Sequence, residues 1–355
     1  MKKIFYLFLL LPIVTLFVSC EKDNGSIDIN PTSEDEYYQV SFDFGGDIFV
    51  EQKQLGNTNT TTTEMKKSPT LASASASDIY GINVYYDKEK DGTPNDVYAY
   101  GVFDNVGYMN IKLLSGHKYS FTCTLVKNGK NDLYYGQAYR QSYPGFCMPF
   151  LTSKNIPSML ENKFITGSVQ LSGIKNGATH TKDIASPNSS NANSYANVDR
   201  YYGETTNYTP VDGGKVLINL KRTVFGAKFI IEGVREGTLT ASCGSFWNKT
   251  TNTDVTEAEK IYSFPNVYSS WMENPITEKL NLSFKSSIGS QWDLASTKDI
   301  VFKRNMLTTV RIVVSPDLAS ASVSFSEESM DEDNFIDLEI NSDGLIDTPV
   351  TPNNN

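Results

Sequence analysis

Histidine is nearly absent from this chain of 355 residues, with only His117 and His180 present. The four cysteines include no Cys-x-x-Cys spacing, so a zinc site lacks its usual ligands. No phosphate-cradling glycine loop, dinucleotide fingerprint or Gly-x-Ser-x-Gly elbow occurs, which argues against the commonest nucleotide-dependent and serine-hydrolase chemistries. Positive charge is also short. A total of 31 Lys and Arg against 41 Asp and Glu gives a formal charge of −10, the wrong sign for phosphate backbones or anionic headgroups. No nucleic-acid partner, metal or other cofactor is expected, and the chain reads as a non-enzyme. Arginine is missing altogether before Arg140.

What is plentiful is aromatic and small polar side chains. The 20 Tyr and 19 Phe, among many Thr, Ser, Asn and Gly, give the composition of strands and turns, and the fold class expected is all-β. Val40, Phe42 and Phe44 alternate with polar residues in a first strand that bends at Gly45-Gly46. Ile79–Tyr86 and Val97–Phe103 form a strand pair, and Met109–Leu113 with Tyr119–Leu125 read as a hairpin. Between residues 173 and 212 apolar content collapses, which places a boundary there. The expected organisation is a first β domain over 37–212 and a second over 213–340, ahead of a polar tail over 341–355. In the second, Val216–Leu220, Val224–Val234, Thr238–Phe246, Leu280–Phe284, a pair formed by Ile300–Asn305 and Thr308–Val314, and Asn334–Ile340 read as strands. Asp254–Glu257 reads as the cap of a short helix. Cys123, Cys147 and Cys243 are an odd set, read as buried thiols, with a Cys123–Cys147 bridge as the alternative.

The first twenty residues set the location. Lys2 and Lys3 precede an apolar run from Ile4 to Val18 that is too short for the ~20 residues of a spanning helix. It is broken by Pro12 and closes on Ser19-Cys20. This is the layout of a secretory signal. A lone cysteine behind a small residue resembles the lipobox of bacterial lipoproteins, which implies acylation of Cys20 after cleavage and a tether over 21–36. An uncleaved anchor with an incidental Cys20 is the alternative. Glu21-Lys22-Asp23-Asn24 resembles the surface-export tag of Bacteroidetes lipoproteins, and implies exposure on the outer membrane.

With that lipobox and two β domains, the stretches Ile218–Lys228 and Phe302–Val310 make the chain resemble the fimbrillins of the Bacteroidetes, the major and minor fimbrium subunits. The resemblance implies two tandem transthyretin-like β-sandwich domains with long loops, and a part in surface fimbriae with other fimbrial subunits as partners. It also implies assembly by β-strand addition, in which backbone hydrogen bonds give strength and alternate side chains give register. Stalk subunits of that family are cut after an arginine near the first strand. With no arginine before Arg140, this chain departs from the pattern, which points to an anchor, accessory or tip role. The candidate donor strand is Phe335–Ile340, with Ile336, Leu338 and Ile340 as the inserting residues. Pairing within its own domain is the alternative.

Chemical motifs are weak. Asp87–Gly92 mimics the opening of a calcium loop, but the twelfth position is Tyr98, which supplies no carboxylate, so the segment reads as a charged turn. The competing function is a carbohydrate-binding surface lipoprotein of a glycan-uptake system. Its candidate stacking aromatics are Tyr134 and Tyr135, near Tyr139 and Tyr143, or Tyr201, Tyr202 and Trp247, all placed in irregular segments. A host protein or glycan would then be a further partner.

Overall fold

A computed structural model describes residues 36–46, 48–49, 72–73, 76–136, 144–175, 195–257, 260–264, 275–294, 298–315 and 321–330. The regular structure of the described residues is almost entirely strand, apart from a 3-10 turn at Val106–Tyr108 and one helical turn at Gly129–Asp132. The first half contains β1 (Tyr37–Gly46), β2 (Ile48–Phe49), β3 (Ala72–Ser73), β4 (Ile79–Tyr86), β5 (Asp96–Phe103), β6 (Asn110–Leu114), β7 (Tyr119–Val126), β8 (Phe146–Leu151), β9 (Pro157–Ser158), β10 (Phe164–Thr166), β11 (Arg200–Tyr208) and β12 (Lys215–Arg222). Eight of these follow the order β10-β5-β4-β7-β11-β12-β1-β6.

That sheet folds over itself at β11 and β12, which pair only at Tyr201↔Arg222 and Tyr202↔Lys221. Val40, Phe42, Ile111, Leu113, Val216 and Ile218 on one leaf then share a core with Tyr80, Ile82, Val84, Tyr119 and Phe121 on the other. The ring of Phe42 meets Phe121 edge-on at 5.4 Å. At the fold the strands approach closely, and a Cβ on Gly203 would lie 2.3 Å from the Asn219 carbonyl oxygen. Only glycine fits there.

The other face of the β4–β7 leaf is covered too. Leu133, Phe146, Phe150, Leu171 and Ile174 pack on Ile79, Val102, Val126 and Tyr202, which explains why Ile79–Val84 is an unbroken buried run. Buried Asn83 receives a hydrogen bond from the Leu171 amide at 2.8 Å and donates to the Leu171 carbonyl at 2.9 Å, pinning this outer layer as a strand would.

The second half contains β13 (Val224–Glu232), β14 (Thr238–Cys243), β15 (Trp247–Thr251), β16 (Val255–Thr256), β17 (Lys260–Ser263), β18 (Ile276–Lys285), β19 (Gln291–Asp293), β20 (Lys298–Phe302), β21 (Met306–Val314) and β22 (Ala321–Ser329). One sheet runs β16-β13-β21-β22, with β17 also on β13. The other runs β15-β14-β18-β19, with β20 also on β18. Their facing sides bury Phe225, Phe229, Ile231, Leu239, Leu280, Phe284, Phe302, Val310 and Ile312 in one core. Phe225 stands at its centre, with Tyr195, Phe246, Tyr262, Phe264 and Phe302 rings at 4.9–5.6 Å.

Several expectations change. The division at 213 is not where the sheets divide: β12 lies between β1 and β11 in the first sheet, and the change comes at Thr223. The segment 173–212 holds the nine-residue β11. Within it, Glu204, Asn207 and other polar residues occupy the more exposed end of β11. The strands expected as hairpins at 109–125 and 300–314 form, but not as partners. β6 pairs β1 while β7 pairs β4 and β11, and β20 pairs β18 while β21 pairs β13 and β22. Alternation marks which side chains reach a core, and a core is reached equally from either of two facing sheets. The helix cap at Asp254 is instead a β-bridge: Val255 and Thr256 pair with Ile231 and Ile230, and the Asp254 carboxylate accepts from the Val234 amide at 3.0 Å. β22 carries only Val323 and Phe325 as large apolar residues among serines, too few to announce it.

All three tryptophans, Trp247, Trp271 and Trp292, fall in the second half, so indole fluorescence reports on it selectively. Phe225→Ala is expected to cost about 3–5 kcal/mol in denaturant titrations followed by that signal. The same change at Phe121 in the first core leaves the indole midpoint within ~0.5 kcal/mol, as for distant sites.

Candidate functional site

The structure separates the aromatics that the sequence groups together. Tyr201 and Tyr202 are in β11 and buried, not in a loop. Tyr201 belongs to the first core and Tyr202 to the outer layer, where its hydroxyl donates to Glu204 at 2.8 Å. Strand alternation sends neighbouring rings to opposite faces, so they form no platform. Tyr134 is half-buried, whereas Tyr135 is 52% exposed and its ring leans on Phe146 at 4.7 Å. Tyr139, Tyr143, Cys20 and the strand of Ile336, Leu338 and Ile340 lie outside the described residues. Asp87 is buried and used for folding. It accepts from the Lys118 amide at 2.8 Å and the Gly92 amide at 3.1 Å, and its carboxylate contacts His117. No cluster of metal-ligating side chains occurs among the described residues.

Trp247 is different. It opens β15, beside a cleft of about 310 Å³ whose walls come from both sheets of the second half. Trp247, Asn248 and Lys249 of β15 face Ala227 and Phe229 of β13 and Lys260 and Tyr262 of β17, with Tyr195 and Asn197 closing one end. The volume lies at the lower end of the ~300–1,000 Å³ typical of ligand pockets. The indole is stacked flat on Phe229, with centroids 3.8 Å apart and planes 7° apart. Phe246, against Tyr262 at 4.8 Å and Tyr195 at 5.3 Å, continues the aromatic wall.

The polar groups around these rings are few. Lys249 and Glu257 form an ion pair across the rim. Lys260 is exposed and has no acidic partner among the described residues. The Asn197 Oδ1 is shielded from solvent and accepts no hydrogen bond from the described residues, an arrangement that costs about 1–3 kcal/mol. Burial pushes the Tyr262 phenol up to about 12, with help from the charge of Glu257. Burial also raises Tyr195, as does its hydroxyl bond to Glu278 at 2.9 Å. Sequence reading found Trp247 but missed Asn197, Lys249, Glu257 and Lys260. Asn197 sits in an Asn- and Ser-rich stretch, and the others are ordinary strand-surface charges until the fold brings them together.

The two sequence stretches singled out for family resemblance also meet. Arg222 places Nε and Nη2 on the Asp199 carboxylate at 2.9 and 3.0 Å, and Nη1 on Asn305 Oδ1 at 3.0 Å. Arg304 donates to the Arg222 carbonyl at 3.1 Å. From there β13 and β21 run parallel, from Gly226↔Leu307 to Glu232↔Val313.

Neither a family model nor a curated protein matches the sequence. Solved structures that the chain matches include the fimbrial anchor protein Mfa2 from Porphyromonas gingivalis, at 10% identity and a TM-score of 0.31 over 83% of this chain and 98% of that one. The tip fimbrial protein Mfa3 from the same organism, C-terminally truncated, matches at 11% identity and a TM-score of 0.27 over 70% of this chain and 92% of its own. A fimbrial assembly protein from Parabacteroides distasonis matches at 10% identity and a TM-score of 0.30, over 84% and 97% respectively. Values this low transfer no residue-level role.

The tyrosine beside the cleft gives a pH test. Its folded-state pKa of about 12 lies above the ordinary 10.0, so its protonated form favours the folded state. That contribution is complete below pH 10 and is lost as pH rises towards 12. Tyr262→Phe is expected to move the onset of alkaline unfolding, read by indole emission, to higher pH, with a gain of up to about 2–3 kcal/mol at the top of that window. An unchanged onset would mean that Tyr262 ionises freely.

Proposed function

We propose that this chain is a structural and adhesive fimbrillin-like subunit of the cell surface, anchored through a lipid on Cys20 and joined to neighbouring subunits by β-strand addition. The observation that carries this reading is the outer edge of β22. This nine-residue strand pairs with β21 along its whole length, from Met306↔Ser329 to Val314↔Ala321. No described strand pairs its other side. A long sheet edge is a template for another strand unless something covers it. Residues 321–326 contain no charge to repel a partner, and glutamates come only at 327 and 328. The chain continues past β22 into Phe335–Ile340, whose alternation of Ile336, Leu338 and Ile340 suits insertion into a neighbour's groove.

An anchor, accessory or tip role is favoured over a cleaved stalk role. β1 lies inside its sheet, parallel to β12 and antiparallel to β6, so removing it would break two ladders at once. The absence of arginine ahead of it leaves no site for an arginine-specific cut there. The subunit therefore keeps its lipidated end. Outer-membrane surface exposure and a non-catalytic role belong to the same proposal.

Deleting 334–355 provides the test. The expected truncated protein keeps its indole-monitored unfolding midpoint but no longer joins other subunits in SDS-resistant ladders. A truncated chain that unfolds would assign the segment to its own sheet, leaving the subunit without a donor strand. Separately, Cys20→Ala is expected to release the protein from the membrane fraction, and retention there would remove the lipid from the reading.

A further inference from the structure

We propose that the cleft between β15 and β17 binds a carboxylated sugar, of the uronic or sialic acid class, at the end of a glycan. The inference does not rest on strand addition, because the cleft is built wholly from residues 195–262. Three features have to be matched by one occupant. The first is an aromatic wall whose central ring is already immobilised, since Trp247 lies flat on Phe229 at 3.8 Å. A ring held in place needs no ordering when a ligand arrives. The C–H face of a pyranose is the surface that stacks on such a ring while its edge stays polar.

The second feature is Asn197 in the cleft lining, whose Oδ1 has no donor among the described residues and which a sugar hydroxyl engages once the side chain turns out of its shielded position. The third is charge. Lys249 is neutralised by Glu257, leaving Lys260 as the one ammonium at the rim with no acidic partner among the described residues. One surplus positive charge suits one carboxylate. A nucleotide would bring a phosphate of higher charge than one ammonium balances. An apolar strand would cover the rings but leave both Asn197 and Lys260 unmatched, which is why a peptide occupant is disfavoured.

The experiment uses the full lipidated chain in detergent, titrated with D-glucuronic acid, N-acetylneuraminic acid and neutral glucose. Indole fluorescence and saturation-transfer NMR give the readouts. At least one of the acids is expected to bind saturably, about threefold or more tighter than glucose, the advantage of one exposed ion pair. Trp247→Ala is expected to weaken that acid about tenfold through loss of stacking. Lys260→Gln, at an exposed position, is expected to remove the preference for acid while leaving the thermal midpoint unchanged. A chain truncated after 333 is expected to bind the acid as well as the full one does, which separates this result from the outcome for strand addition. The proposal is overturned if neither acid binds, or if Lys260→Gln leaves the acid preference intact. Occupation of the cleft by a peptide of residues 334–340 in preference to both acids would overturn it as well.

Discussion

The Arg222 guanidinium ties the two halves of this chain together. β12 ends at Arg222 and β13 begins at Val224, so a single residue, Thr223, separates the last strand of one sheet from the central strand of the next. Thr223 donates its amide to the Arg200 carbonyl at 2.7 Å and its carbonyl accepts from Phe264 at 3.0 Å, so both sides of that residue are held. Arg222 clamps Asp199 behind it and Asn305 ahead of it, with the pair only partly exposed. Two parallel guanidinium N–H bonds to one carboxylate fix direction as well as distance, which a lysine cannot do. The Asn305 amide in turn donates to Val224 at 2.7 Å, so β21 takes its place beside β13 from the same point. Everything built on β13, including the floor of the cleft, inherits its position from that joint.

How much of this was readable in advance depended on the kind of information involved. Which segments form strands was largely visible, because β1, β4, β5, β7, β12, β13, β18 and β21 announce themselves by alternation or by continuous apolar runs. Which strands pair was not. Leu114 and Tyr119 are close in sequence and serve one core, yet they lie in opposite leaves, because burial is blind to the sheet from which a side chain arrives. The same ambiguity misplaced β20 and β21. The joint itself was half legible: the wording around Lys221–Ala227 and Lys303–Leu307 stood out, but nothing in the residues said that Arg222 and Asn305 touch. For the site, Trp247 was found for the wrong reason, as a loop aromatic, whereas it belongs to a strand whose flank is open. Asn197 matters only through the absence of a donor, and such an absence exists in three dimensions alone.

The arrangement divides labour within one chain. The first half is layered three deep, with β4 and β7 covered on both faces by the folded-over leaf and by Leu133, Phe146, Phe150, Leu171 and Ile174. Cys123 and Cys147 are buried free thiols there, and Cys243 is its counterpart in the second core, so described cysteines fill space and form no bridge. The second half carries, among the described residues, a nine-residue strand β22 unpaired on its outer side and an aromatic cleft at β15 and β17. These lie on different strands of the same sandwich. The proposed contact with other subunits and the proposed binding of a sugar therefore use different strands.

The parallel pairing of β1 with β12 sets an order of events as well as a shape. Ser41 meets Lys215 and Gly46 meets Leu220, so about 175 residues intervene between the partners of a ladder that no tight turn can bring together. Closing so long a loop is slow in comparison with local pairing. β1 can pair with β6 once residue 114 is made, but its second ladder, and with it the sealing of the first half, waits until residue 220 has followed it out of the ribosome.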